Sequence, residues 1–147
     1  MAVNCFRREL FVPAAAMLGA ASEGIWIELG RALIARHPTE SICVNTTKTI
    51  ENDVTSMRRI IRAVTESLYA RQDLFGGFVI SSGVTLDRLR EIGVWSHVVR
   101  EARNVPHWNA TSSSAGTYES VAVLLMSAVP NLGDLGKLRV AAAGPPP

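Results

Sequence analysis

Apolar residues recur along this chain with the spacing of helices rather than of strands. Across residues 14 to 36 the repeat runs through Met17, Leu18, Ala21, Ile25, Leu29 and Leu33. Pro13 suits the first turn of that helix, and His37-Pro38 ends it. Ala14, Ala15, Ala16, Gly19, Ala20 and Ala21 leave room for a second helix to approach closely. Pro38, Ser41, Asn45 and Thr46 are turn formers, and they predict a loop reaching about Thr47. Ile42, Cys43 and Val44 would pin that loop to the core. A second long helix is expected over residues 48 to 73, on Ile50, Val54, Met57, Ile61, Val64 and Leu68.

Phe75-Gly76-Gly77-Phe78 breaks this rhythm and predicts a crossover that lasts to Gly83. Thr85 then reads as an N-cap, with Asp87 in the first turn of a short helix over residues 86 to 92. Gly93 interrupts it, and Trp95 opens the next helix. Residues 108 to 116 read as a polar loop. Thr117 caps the last helix, whose apolar side is Val121, Leu124, Leu125, Ala128, Leu132, Leu135 and Leu138. Pro130 is expected to bend that helix or restart it. The pattern as a whole predicts an all-α fold, an up-and-down bundle of four to five antiparallel helices. One domain would cover residues 1–140, and the small-residue and proline stretch 141–147 would be a flexible tail.

Composition narrows this only a little. Of the 147 residues, 48% are hydrophobic and 19% charged, which suits one domain with a sizeable core. The net charge of +2 is too small to signal nucleic-acid binding through the global field. Nearly all the positive charge is arginine, the better residue for bidentate phosphate contacts. A bias of base composition accounts for it equally well. Cys5 and Cys43 form neither a metal-ligand spacing nor a redox pair, and idle thiols fit a reducing cytoplasm. Arg7 and Arg8 precede an apolar run that ends in Gly19-Ala20-Ala21, in the manner of a secretory signal. Glu9 at the head of the run and the helical spacing that continues to Leu33 favour a first core helix instead. No run of about 18 uninterrupted apolar residues is present, so no membrane span is expected.

The chemistry concentrates in residues 98 to 107. On a helix, Val98, Ala102 and Val105 form an apolar stripe, while Arg100, Arg103, Asn104 and His107 form a polar one. Two guanidiniums, an amide and an imidazole on one face can bind a phosphate and move a proton. An architectural reading uses the same residues. In it, Arg103 pairs with Glu23, a carboxylate set in an otherwise apolar surface, or with another acid. Asn104 would then cap the helix end, and His107 would hold the loop through a backbone carbonyl. Pro106 ends the helix near Asn104 and places His107 on the exit loop. No cluster suits a metal, no motif suits a phosphate-cradling loop, and no cofactor is expected.

In order, Met17-Leu18-Gly19-Ala20-Ala21-Ser22-Glu23, Thr85-Leu86-Asp87-Arg88-Leu89, Arg103-Asn104-Val105-Pro106-His107 and the Leu-rich stretch 124–135 resemble the HEPN-like helical domains. The closest likeness is to the subgroup with RNLIHPG-type motifs. The resemblance implies a helical bundle, often homodimeric, with the motif near the two-fold axis. Many relatives are metal-independent ribonucleases of toxin–antitoxin or phage-defence systems, and others only bind RNA or a partner such as a cognate antitoxin protein. Arg103, Asn104 and His107 match the motif positions. Nuclease members place four to six residues between arginine and histidine. Arg103 and His107 have three between them and Arg100 and His107 six, which makes Arg100 the alternative arginine. A cytoplasmic binding or regulatory module is therefore expected, with a ribonuclease as the alternative.

Overall fold

The computed structural model describes residues 1–52, 54–103 and 117–144, and these are all-helical, without strands. Among the described residues seven helices follow one another: α1 (Ala2–Arg7), α2 (Phe11–Arg36), α3 (Ser41–Ile50), α4 (Met57–Ala70), α5 (Gln72–Ser82), α6 (Leu86–Arg103) and α7 (Tyr118–Ala143). The apolar stripe of α2 makes it the central helix, packed against α1, α3, α4, α6 and α7. Trp26, Leu29 and Leu33 of α2 are buried among Val64 and Leu68 of α4, Phe75 and Phe78 of α5, Leu89 and Ile92 of α6, and Leu135 and Leu138 of α7. At the other end, Leu18 meets Val99, Leu124 and Ala128. Burial of this order stabilises by about 1.5–3 kcal/mol for each large side chain.

The small residues of α2 do bring neighbours close. A Cβ on Gly19 would lie 2.9 Å from Cδ of Arg103, and one on Gly30 would lie 2.5 Å from Cδ1 of Ile50 and 2.9 Å from Cγ2 of Val64. The buried polar residues Ser22, Thr46, Ser67, Ser96 and Asn131 are hydrogen-bonded. Ser96 Oγ donates to the Ile92 carbonyl at 2.8 Å and accepts from Trp26 Nε1 at 2.9 Å and from Ser22 Oγ at 3.2 Å. Arg36 reaches from the end of α2 to the carbonyls of Ala141 and Ala142, so it caps the end of α7.

Several boundaries differ from the sequence expectation. The stretch read as a loop before Thr47 is α3, and the expected helix over 48 to 73 is divided between the end of α3 and α4. Thr46, Thr47 and Thr49 are satisfied within α3 by bonding back to the carbonyls of Ile42, Cys43 and Asn45. The expected crossover at Phe75-Gly76-Gly77-Phe78 is helix α5, because burial of Phe75 and Phe78 outweighs the cost of two glycines. Gly83, at φ 69°, ends that helix in the left-handed conformation. Helix α6 passes through Gly93 without a break. Helix α7 passes through Pro130 as one element, and residues 141–143 belong to it rather than to a tail, with Ala142 buried. The expected caps stand: Thr85 Oγ1 accepts from the Arg88 amide at 3.1 Å, and Thr117 Oγ1 accepts from the Ser120 amide at 3.3 Å. By length and composition α7 could cross a membrane, and a third of its most apolar window is buried against the other helices here.

Candidate functional site

The last turn of α6 carries Arg100 and Arg103, as the stripe requires. Two arginines at a helix C-terminus are favoured by the partial negative charge there, whatever else they do. The core face of α6 consists of Leu89, Ile92, Ser96 and Val99, which fixes the direction of its other residues. Arg103 lies near that face and crosses to α2, where its Nη1 donates to Glu23 Oε2 at 2.5 Å. Its aliphatic stem lies on Gly19, so both the glycine and the glutamate of the Leu18-Gly19-Ala20-Ala21-Ser22-Glu23 stretch serve this one arginine. Side-chain exposures of 35% and 23% make the pair half-buried rather than a loose surface contact. The pairing of Arg103 with Glu23 that the sequence allowed is present. The guanidinium is engaged by a carboxylate, which lowers its net positive charge toward any ligand. Asn104 and His107, with Pro106 between them, lie outside the described residues.

Arg100 points to a different flank. It follows Val99 of the core face by one residue, and its Nη2 donates to Glu101 Oε1 at 2.8 Å. Its Nε is buried and has no hydrogen-bond partner among the described residues. A buried donor without an acceptor costs about 1–3 kcal/mol. His97 stands one turn earlier on the same flank. Burial pushes its pKa down, and the nearby cations Arg100 and Arg58 push it further, against an opposing pull from Glu101. Arg58, from the first turn of α4, is therefore near enough for its charge to act on His97. Among the described residues Arg58 has no carboxylate partner, whereas Arg62 is paired with Glu66 at 2.7 Å. The resulting cluster, Arg58, His97 and Arg100 with Glu101 at its rim, draws on two helices.

Sequence reasoning did not join His97 and Arg58 to Arg100. The available signal was the basic run Arg58, Arg59 and Arg62 on one side of α4. That run shows its meaning only once α4 and α6 lie side by side, with Ile61 against Gly93. No group of three or more histidine, cysteine or acidic residues suits a metal ion among the described residues. Cys5 and Cys43 are free thiols, and burial raises the pKa of Cys43. No family model, no curated protein and no solved structure matches this chain.

Proposed function

We propose that this is a HEPN-like helical protein that binds RNA through its phosphate backbone, as a binding or regulatory module of a bacterial defence or toxin–antitoxin type system in the cytoplasm. The family part of this reading rests on the sequence resemblance, and so does its antiparallel bundle architecture. The binding part rests on one observation above the others: the charges of Arg58 on α4 and Arg100 on α6 both act on His97, and Arg100 Nε is buried without a hydrogen-bond partner among the described residues. Three cationic or protonatable groups within one helix-to-helix seam suit successive phosphates of a single strand. Arg103, tied to Glu23, supports a structural role for the motif arginine more than a catalytic one.

The ribonuclease alternative keeps Arg100 as the arginine that stabilises phosphoryl charge and His107 as the group that moves the proton. One experiment separates the two. Purified protein is incubated with labelled single-stranded RNA in EDTA, and both retention of the RNA and the ends of any products are read. The module reading predicts retention without cleavage, weakened in Arg58→Ala and Arg100→Ala and little changed in His107→Ala. Cleavage that leaves 2′,3′-cyclic phosphate ends and is abolished by His107→Ala would establish the ribonuclease instead. Absence of both binding and cleavage would remove RNA as the ligand.

A further inference from the structure

Helix α1 ends in a turn that its sequence does not favour. The Glu9 amide donates to the Phe6 carbonyl and the Leu10 amide to the Cys5 carbonyl, each at 2.9 Å. This pair of bonds closes a helix whose next residue is left-handed, a position that usually holds glycine. Here it holds Glu9, at φ 60°, and among the described residues no other non-glycine has a positive φ. Gly83 ends α5 in the same conformation with no Cβ to strain it. The Cβ of Glu9 crowds the backbone there.

Little else holds α1 down. It has six residues, too few to be stable alone, none of them is buried, and no side chain caps its start. It rests on α2 and α7 through two small groups of contacts. Phe6 stacks on Tyr118 with ring centroids 5.1 Å apart and lies 5.6 Å from Phe11. Cys5 Sγ donates a weak hydrogen bond to Met17 Sδ at 3.6 Å. Tyr118 is 57% exposed, so water reaches the aromatic clasp.

Beneath α1 lies surface that it alone does not bury but helps to cover. Ala14 and Ala15 of α2 and Val121 of α7 are at most 1% exposed, with Cys5 and Phe6 packed against them. Beside them runs an open groove of about 450 Å³, lined only by apolar side chains. Met1 and Val3 line it, together with Met17 and Ala21 of α2 and Leu125 and Val129 of α7. Lifting α1 carries Val3, Cys5 and Phe6 away and joins both regions into one apolar trough between α2 and α7.

We propose that α1 is a releasable strap, hinged at Glu9-Leu10, that hides this trough when down and offers it when up. Glu9 sets the balance, because its strain exists only with the strap down and is relieved on release. The strap shares no residue with the basic cluster of α4 and α6, so this inference stands apart from the RNA proposal.

Hydrogen exchange of the whole chain, followed by NMR, tests it, with 8-anilinonaphthalene-1-sulfonate as a fluorescent probe of the open trough. After correction for unfolded-chain rates, the amides of Arg8, Glu9 and Leu10 should exchange together and much faster than those of Leu29 and Leu33. Glu9→Gly should slow them roughly threefold to tenfold, the strain removed less the freedom glycine gains in the released state. It should also lower the dye fluorescence. Glu9→Ala keeps a Cβ and should change little, which separates the backbone from the carboxylate. Phe6→Ala should speed the exchange and raise the fluorescence. Leu29 and Leu33 should hold their rates in every variant. Exchange of the α1 amides at the rate of Leu29 would overturn the inference. So would a Glu9→Gly variant that exchanges no more slowly, equal slowing in Glu9→Ala, or dye binding that does not follow the strap.

Discussion

The close approach at Gly30 permits a quantitative test of how α3 and α4 are seated on α2. Gly30→Ala would place a Cβ 2.5 Å from Ile50 Cδ1 and 2.9 Å from Val64 Cγ2. Carbon atoms are in favourable contact at about 3.5–4.0 Å, so Ile50 must retreat by at least about 1 Å and Val64 by at least about 0.6 Å. Ile50 is half-buried, and its terminal methyl can swing away. Val64 is fully buried and has one strongly preferred rotamer in a helix, so it moves only if α4 moves. Overpacking of this kind costs about 1–3 kcal/mol. Alanine returns about 1 kcal/mol of helix propensity, leaving a net loss of about 0–2 kcal/mol.

Gly24→Ala, also in α2, supplies the control, because a Cβ there meets nothing within 4 Å. It should gain the propensity term alone. The difference between the two variants is then the overpacking cost, with propensity cancelled. For a domain of this size 1 kcal/mol moves the melting temperature by roughly 2–4 °C, so the two variants should differ by about 2–12 °C. Calorimetry measures this, and urea titration with an unchanged m-value confirms that stability alone has altered. If Gly30→Ala stabilises as much as Gly24→Ala, the seating of α4 on α2 described above is wrong.

Ser96→Ala should cost about 1–3 kcal/mol in urea titration, because it leaves Trp26 Nε1 buried without an acceptor. A neutral result would mean that water or another group reaches the indole. A double-mutant cycle with Glu23→Ala and Arg103→Ala should give a coupling of about 1 kcal/mol, reduced from the buried-pair range by the pair's partial exposure. A coupling of zero would show that the pair is not formed in solution. His97 has a lowered folded pKa, so the unfolded chain binds its proton first as the pH falls. Its contribution to stability is present above the ordinary histidine range and is lost as the pH falls through the lowered folded value. His97→Gln should flatten the pH dependence of the melting temperature in that window. An unchanged slope would place His97 in a different setting.

The main helices were legible because α2 and α7 each hold one apolar periodicity over many turns, and because Thr85 and Thr117 stand at the N-termini of α6 and α7. The shorter helices were not. In α3 the threonines look like loop residues until their hydroxyls are seen to bond back along the helix. In α5 the paired glycines hide a helix that two buried phenylalanines hold in place. The Arg103–Glu23 pair could be read as one alternative, since a carboxylate in an apolar surface needs a cation. The Ser22–Trp26–Ser96 network could not, because serines on a core stripe reveal their partners only in three dimensions. The grouping of Arg58 with His97 and Arg100 depends on residues some forty positions apart, joined by the packing of α4 on α6.

The central claim is that this packing makes a phosphate-binding flank, and the salt dependence of RNA binding tests it most directly. Fluorescence anisotropy of a labelled single-stranded RNA would be followed at several salt concentrations, for the wild type, Arg58→Ala, Arg100→Ala and the double variant. Each phosphate contact to a single strand contributes about 0.7 to the slope of log affinity against log salt. The account predicts a slope that falls by about that amount for each arginine removed, and by about twice that in the double variant. Equal slopes and affinities for all four proteins would contradict it.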